Sequence, residues 1–263
     1  AGINFLDTAE CYNNSEELIG KTVSHRRSEF ILATKVGHIS GNYLGKPWTG
    51  TTVRDSINRS LVRLNTDYVD IIQIHAYDIT APPPDEVIEE VLKAKTAGKT
   101  RFIGYSGENQ DAEWAIQSGI FDTLQTAFNI VDQKARHGLF EIAKTHNIGI
   151  IAKRPLANGV WGMIPSVDAE KKLDGTNKER LMRARAMANI GEIHMAPEDP
   201  IVLSMGFTLA HEEVHTSIVG TGNLDHMIAN IKAVEEKLPI EYSVVKELHK
   251  RFDDVQKNWS SID

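Results

Sequence analysis

Four side chains in the first third of the chain have the types and spacing to move a proton. Asp7 closes the short apolar run NFLD, Lys35 closes FILATK, His75 closes YVDIIQIH, and Tyr12 follows Asp7 in the next turn. A free tyrosine, with a pKa of about 10, is a poor acid at neutral pH. An ammonium beside it favours the phenolate and makes the phenol a better donor, and a carboxylate paired with the ammonium fixes its position and charge. A histidine donating to the same substrate oxygen completes a small oxyanion-type site. Such a set polarises a carbonyl and delivers a proton to it, but no side chain supplies a hydride. Taken singly, each residue has a plainer use: Asp7 can cap a helix, Tyr12 can pack in an interface, Lys35 can be solvated, and His75 can be hydrogen-bonded at a strand end.

The four meet only if the elements carrying them end at one place. Further β-branched or aliphatic runs close on polar residues: RFIGYS on Ser106, DTLQTAFN around Gln125, IGIIAK on Lys153 and SIVG on Gly220. Segments of helical period lie between the runs, at about 50–64, 84–97, 137–146 and 223–237, so strand and helix alternate. That alternation predicts a parallel sheet, and runs apolar on both faces favour a closed (β/α)8 TIM-type barrel over an open sheet. In such a barrel the C-terminal ends of the strands share one mouth. Thr51 or Thr52 and the Pro84-Asp85-Glu86 opening mark two helix starts, and Gly98 marks an end. From Lys153 to Gly220 the chain is too long for one helix and a turn, which predicts an excursion at about 158–198, part loop and part helix, from a single domain over 1–263. Excursions of this kind are where barrel enzymes build specificity.

Composition narrows the function classes. The single cysteine, Cys11, rules out an intrachain disulfide framework and multi-cysteine zinc sites, and points to a reducing, cytoplasmic setting. A net charge of -7 leaves no basic excess for nucleic acid or anionic membrane, so small molecules are the expected partners. His194, His211 and His215 lack the spacing of a metal site, and no metal is expected. Cys11 has no evident base and reads as packing.

The segments GINFLDTAECYNNSEELIG and SLVRLNTDYVDIIQIH are similar to two motifs of the aldo-keto reductases, and the resemblance covers nearly the whole chain. It implies a (β/α)8 barrel that binds extended NADP or NAD without a Rossmann domain, with Tyr12, Lys35, His75 and Asp7 as its catalytic tetrad. It also implies reduction of an aldehyde or ketone, or the reverse, with Tyr12 as proton donor. The retained His75 favours carbonyl over carbon–carbon double-bond reduction. Ser106 and Gln125 match contacts to the nicotinamide carboxamide, although Gly107 stands where asparagine is common. Leu156, Asn158 and Gly159 match the pyrophosphate region, with Lys153 where the family stacks an aromatic ring. Gly220, Thr221, Gly222, Asn223, His226 and Asn230 match the adenosine-phosphate loop and helix start, without its usual basic residue and with Ala229 for the frequent glutamate. Trp48, Tyr77 and Trp161 are the aromatic candidates for a substrate wall. Because the family barrel places a strand and helix before the segment corresponding to Gly2, the seven strands counted imply a chain lacking its first βα unit. Two other readings stay open: a cofactor-binding regulatory subunit with the same barrel, like the potassium-channel β subunits, and a different barrel enzyme with a phosphate site at the last strand.

Overall fold

The computed structural model describes residues 2–39, 41, 43–75, 82–257 and 259–262. The apolar runs become seven strands: β1 (Phe5–Asp7), β2 (Ile31–Val36), β3 (Val69–His75), β4 (Thr100–Ser106), β5 (Thr123–Ala127), β6 (Gly149–Lys153) and β7 (Thr216–Ile218). The helices are α1 (Ser15–Thr22), α2 (Gly50–Leu64), α3 (Asp85–Thr96), α4 (Asn109–Gln117), α5 (Leu139–Thr145), α6 (Gly175–Ala188), α7 (Pro200–Leu209), α8 (Leu224–Lys237) and α9 (Tyr242–Val255). Contacts divide the chain into two compact units, Ala1–Gln125 with Thr145–Ile148, and Thr126–Lys144 with Gly149–Asp263.

In the first unit β1 to β5 pair in parallel, each with its sequence neighbour. Nearly every residue of β2 and β3 is buried, the habit of parallel strands covered on both faces. Helix α2 covers the expected 50–64, but its N-cap is Thr49, whose hydroxyl accepts from the Thr52 N–H at 3.3 Å, rather than Thr51 or Thr52. The helix ends at Asn65, which takes the left-handed conformation (φ 52°). Its buried stripe, Val53, Ile57, Ser60 and Leu64, repeats every three or four residues. Gly20 of α1 sits directly on the α2 backbone, where a Cβ would lie 2.1 Å from the Arg63 carbonyl oxygen.

In the second unit β6 and β7 pair in parallel, with Lys153 beside Ile218. The long interval between them holds 3-10 turns at Ala157–Met163 and Ala169–Lys172, then α6 and α7. Helix α7 opens on the N-cap Asp199 with Pro200 behind it. The end of α6 and the segment after it are held by Arg251 of α9, which donates to the carbonyls of Met187, Gly191 and Glu192. Among the described residues no helix is long and apolar enough to cross a membrane, and no group of three or more His, Cys, Asp or Glu could hold a metal ion.

Candidate active site

Three neighbouring parallel strands bring the proton-moving residues together. Asp7 is the last residue of β1, Lys35 the fifth of β2 and His75 the last of β3. Beyond β1 the chain keeps pairing for a few residues, Thr8 N–H to the Ala33 carbonyl and Glu10 N–H to the Lys35 carbonyl, before a turn closed by Tyr12 N–H on the Ala9 carbonyl. That turn carries Tyr12 to the rim, where its side chain is partly open to solvent.

Lys35 is buried, 1% exposed, and its ammonium donates to the Asp7 carboxylate and, at 2.9 Å, to the Thr8 carbonyl. A buried ion pair persists when its remaining hydrogen-bonding capacity is met, and here Asp7 Oδ1 accepts from the side-chain amides of Gln73 (3.0 Å) and Gln125 (2.8 Å). The ammonium lies 5.0 Å from the centre of the Tyr12 ring. Tyr12 Oη is 3.5 Å from His75 Nε2, and the two rings meet edge to face. On the other side of the imidazole, Cys11 Sγ is 3.6 Å from Nδ1. Burial pushes the Cys11 thiol above its ordinary range, with the neighbouring Glu10 adding to the effect, so the sulfur stays protonated at neutral pH. Edge contacts continue from His75 to His38 (5.0 Å) and from His38 to Trp48 (5.1 Å). Trp48 folds back over Gly37 so closely that a Cβ there would lie 2.2 Å from the indole ring.

Behind the turn, Glu10 accepts from Arg59 (2.9 Å) and Arg63 (3.4 Å) of α2, and Glu16 accepts from the Thr34 hydroxyl (2.6 Å). Burial raises the Glu16 carboxyl above its ordinary range against the pull of Thr34 and Arg63. Two acids and two arginines thus tie the Tyr12 turn to α2. None of Gln73, Glu10, Glu16, His38 or Cys11 was singled out by the sequence as part of a site.

Ser106 ends β4 next to His75, and Gln125 lies beside Ser106 on β5. Both are buried, and the Ser106 hydroxyl donates to Gln125 Oε1 at 3.5 Å. Gln125 therefore belongs to the hydrogen-bond shell of Asp7, a use its match to the family did not announce.

The remaining cofactor candidates lie in the second unit, beyond the C-terminal ends of β6 and β7. Leu156, Asn158 and Gly159 sit in the 3-10 stretch after Lys153, where Ala157, Asn158 and Gly159 take positive φ in succession (47°, 56° and 77°). Asn158 donates to Asn177 of α6 at 2.7 Å, and Trp161 is half-buried in the same stretch. After β7, Gly220, Thr221 and Gly222 run exposed or half-exposed into the N-cap Asn223, which accepts from the N–H groups of Asp225 and His226. His226 is exposed on the first turn of α8 and Asn230 is buried one turn further on. Tyr77 lies outside the described residues. His215 Nδ1 accepts from the Ile150 N–H, and His211 pairs with His249.

A model of the Aldo/keto reductase family matches residues 1–250. The chain is 29% identical over 250 residues to the uncharacterized oxidoreductase YqkF of Bacillus subtilis, across 90% of this chain and 79% of that protein. It is 28% identical over 249 residues to L-galactose dehydrogenase of Arabidopsis thaliana, across 89% of this chain and 75% of that protein. The holo form of aldo-keto reductase AKR11C1 from Bacillus halodurans matches its structure with a TM-score of 0.77 at 27% identity, over 95% of this chain and 83% of that one. The fold is accordingly of the (β/α)8 type, and the chain belongs to the aldo-keto reductase family.

Proposed function

We propose that the protein reduces an aldehyde or ketone to the alcohol, or runs the reverse, with Tyr12 as the general acid, and that Asp7, Lys35 and His75 complete its catalytic set. Membership of the family makes it an NAD(P)-dependent oxidoreductase acting on small carbonyl compounds. The observation that carries the assignment to Tyr12 is its position at the rim, with the Lys35 ammonium 5.0 Å from its ring and His75 Nε2 3.5 Å from its hydroxyl.

The residues present fit a nicotinamide dinucleotide at its phosphate end. Cβ directions at Gly220 and Gly222 face no atom within 4 Å, which leaves the backbone before α8 open, and Thr221, Asn223 and the helix N-terminus add donors. Leu156, Asn158 and Gly159 would border the pyrophosphate, and Ser106 with Gln125 the carboxamide. Bound and reduced, the nicotinamide supplies the hydride for the carbonyl carbon. Tyr12 gives its proton to the carbonyl oxygen, and His75 donates a hydrogen bond to the same oxygen from Nε2. Lys35 favours the phenolate left behind, and Asp7 holds Lys35 in place. Trp48 and Trp161, with Tyr77, are the aromatic groups proposed to border the substrate.

Tyr12→Phe tests the reading. Loss of general acid catalysis typically costs about 10²–10⁴-fold, so kcat for a small aldehyde should fall by that order. Cofactor affinity, followed by nicotinamide fluorescence, should stay within about twofold. A variant keeping half the wild-type rate would remove Tyr12 from the mechanism.

A further inference from the structure

Gln73 is an expensive residue for its place. It is the fifth residue of the apolar strand β3, two before His75 and therefore on the same face, and it is 0% exposed. Its Oε1 has no hydrogen-bond partner among the described residues, a penalty that an apolar side chain would avoid. Its neighbours make room for it: Lys35 and Gly104 flank it on β2 and β4, and a Cβ on Gly104 would lie 2.8 Å from Gln73 Cγ and 2.5 Å from the Thr123 hydroxyl. The amide so accommodated spends its N–H on Asp7 Oδ1 at 3.0 Å, beside the N–H from Gln125.

We propose that Gln73 is a positioning residue for the proposed proton donor: by holding Asp7 through Oδ1, it sets how much of the Lys35 charge acts on the Tyr12 phenol. The inference rests on the reading of Tyr12 as the acid. A carboxylate with one oxygen on Lys35 and a single amide, that of Gln125, on the other keeps more of its charge on that ammonium and cancels more of its field at the phenol. With two amide donors on Oδ1, the negative charge is shared among three partners, and the ammonium keeps a net pull toward the ring 5.0 Å away. Deleting the Gln73 donor therefore raises the pKa of the phenol. The other titratable groups around Tyr12 among the described residues are left as they are: His75 and Cys11 beside it, His38 beyond His75, and Glu10 and Glu16 held by Arg59 and Arg63.

The test compares Gln73→Leu, Gln73→Met and Gln73→Glu in the full chain. Tyr12 is titrated by the ultraviolet difference spectrum of its phenolate, using Tyr12→Phe to subtract the other tyrosines, a readout that needs no turnover. In Gln73→Leu the phenol should titrate about half a pH unit or more higher. The alkaline limb of aldehyde reduction should move with it, with kcat falling severalfold and KM and cofactor affinity within about twofold of wild type. Gln73→Met keeps the volume and carries the same expectation if the leucine variant does not fold. In Gln73→Glu, a buried carboxyl beside Asp7 holds its proton at neutral pH and donates the same hydrogen bond, so the wild-type titration should return. A shifted phenol in a chain that reduces no carbonyl supports the Gln73 network and overturns only the reductase reading. An unshifted phenol in folded Gln73→Leu or Gln73→Met, with aldehyde reduction retained, overturns the role of Gln73 alone.

Discussion

At the scale of single residues, the cofactor loop before α8 has a simple electrostatic content. Between Gly220 and His226 there is no lysine or arginine, and hydrogen bonds to a charged donor are roughly twice as strong as neutral ones. Thr221, Asn223 and backbone N–H groups can hold a ribose hydroxyl about as well as a phosphate, so we expect NADH to be accepted and NADPH to be preferred by less than about 100-fold, or ~2.7 kcal/mol. Paired fluorescence titrations with the two cofactors check this, and a larger preference would mean that a cation reaches the 2′-phosphate from another part of the chain. Asp7, Lys35 and His75 were readable as neighbours because each closes an apolar run at or near a strand end, where side chains converge, and Tyr12 because it follows Asp7 in the next turn. Gln73 was not, because one glutamine inside an apolar strand acquires its meaning only from the neighbours across the sheet. Cys11 and His38 were hidden for a related reason: their partner, His75, is brought to them by register and not by spacing along the chain.

At the scale of elements, the strands and the helices at 50–64, 84–97, 137–146 and 223–237 were readable because their apolar residues recur at the period of the structure they form. Helix α6 was only partly foreseen, since arginine counts as a surface residue in any periodic pattern; α9 was not foreseen although its buried Val244, Val245, Leu248 and Phe252 recur at helical spacing. Arg180, Arg183 and Arg251 are nevertheless buried, held there by donating to backbone carbonyls of Ile262, Ser260 and Gly191. Helix α7 is apolar nearly all round and so shows no face. The contact of α1 with α2 makes the sharpest prediction at this scale. In Gly20→Ala the new methyl would meet the Arg63 carbonyl oxygen at 2.1 Å, and a backbone oxygen inside a helix cannot swing aside as a side chain can. Helix α1 must lift, at a cost of about 1–3 kcal/mol. The Tyr12 turn, bonded to the start of α1 through Ser15 N–H on the Tyr12 carbonyl, would move with it. We expect a lower Tm and a reduced kcat together. Gly175→Ala, at the start of α6 with nothing within 4 Å of the new methyl, is the control that should leave both unchanged. An unaltered Tm in Gly20→Ala would mean that the helices are not packed as closely as described.

For the molecule as a whole, the dependence of stability on pH has a source far from the tetrad in sequence. His211, at the end of α7, donates from Nδ1 to the Phe207 carbonyl at 2.8 Å, which leaves its Nε2 to accept from His249 Nε2, also at 2.8 Å. Phe207 and Phe128 line the pair. Burial lowers the pKa of both rings, and that of His249 falls to about 4 with Arg136 and His211 adding to the effect against Asp253. Other titratable neighbours are His137, paired with Asp253, and Glu213 near His211. Above pH 6.5 the imidazole is neutral in both folded and unfolded chains, and the pair adds no slope. Below it the unfolded chain takes up a proton that native His249 refuses until about pH 4, so stability is lost as pH falls across that window. Asp70 acts in a lower range: its carboxyl is pushed up by burial but held below 3.8 overall by the Leu32 N–H, Arg27 and Arg101, so its contribution is lost only at more acid pH. Thermal unfolding followed by circular dichroism should therefore show Tm falling from pH 6.5 toward pH 4 in the wild type. His249→Phe keeps an aromatic ring against Phe207 and removes one of the two depressed imidazoles, so the fall should become shallower in that variant. If His249→Phe retains the wild-type slope, the acid sensitivity belongs to other groups and His249 has no part in it.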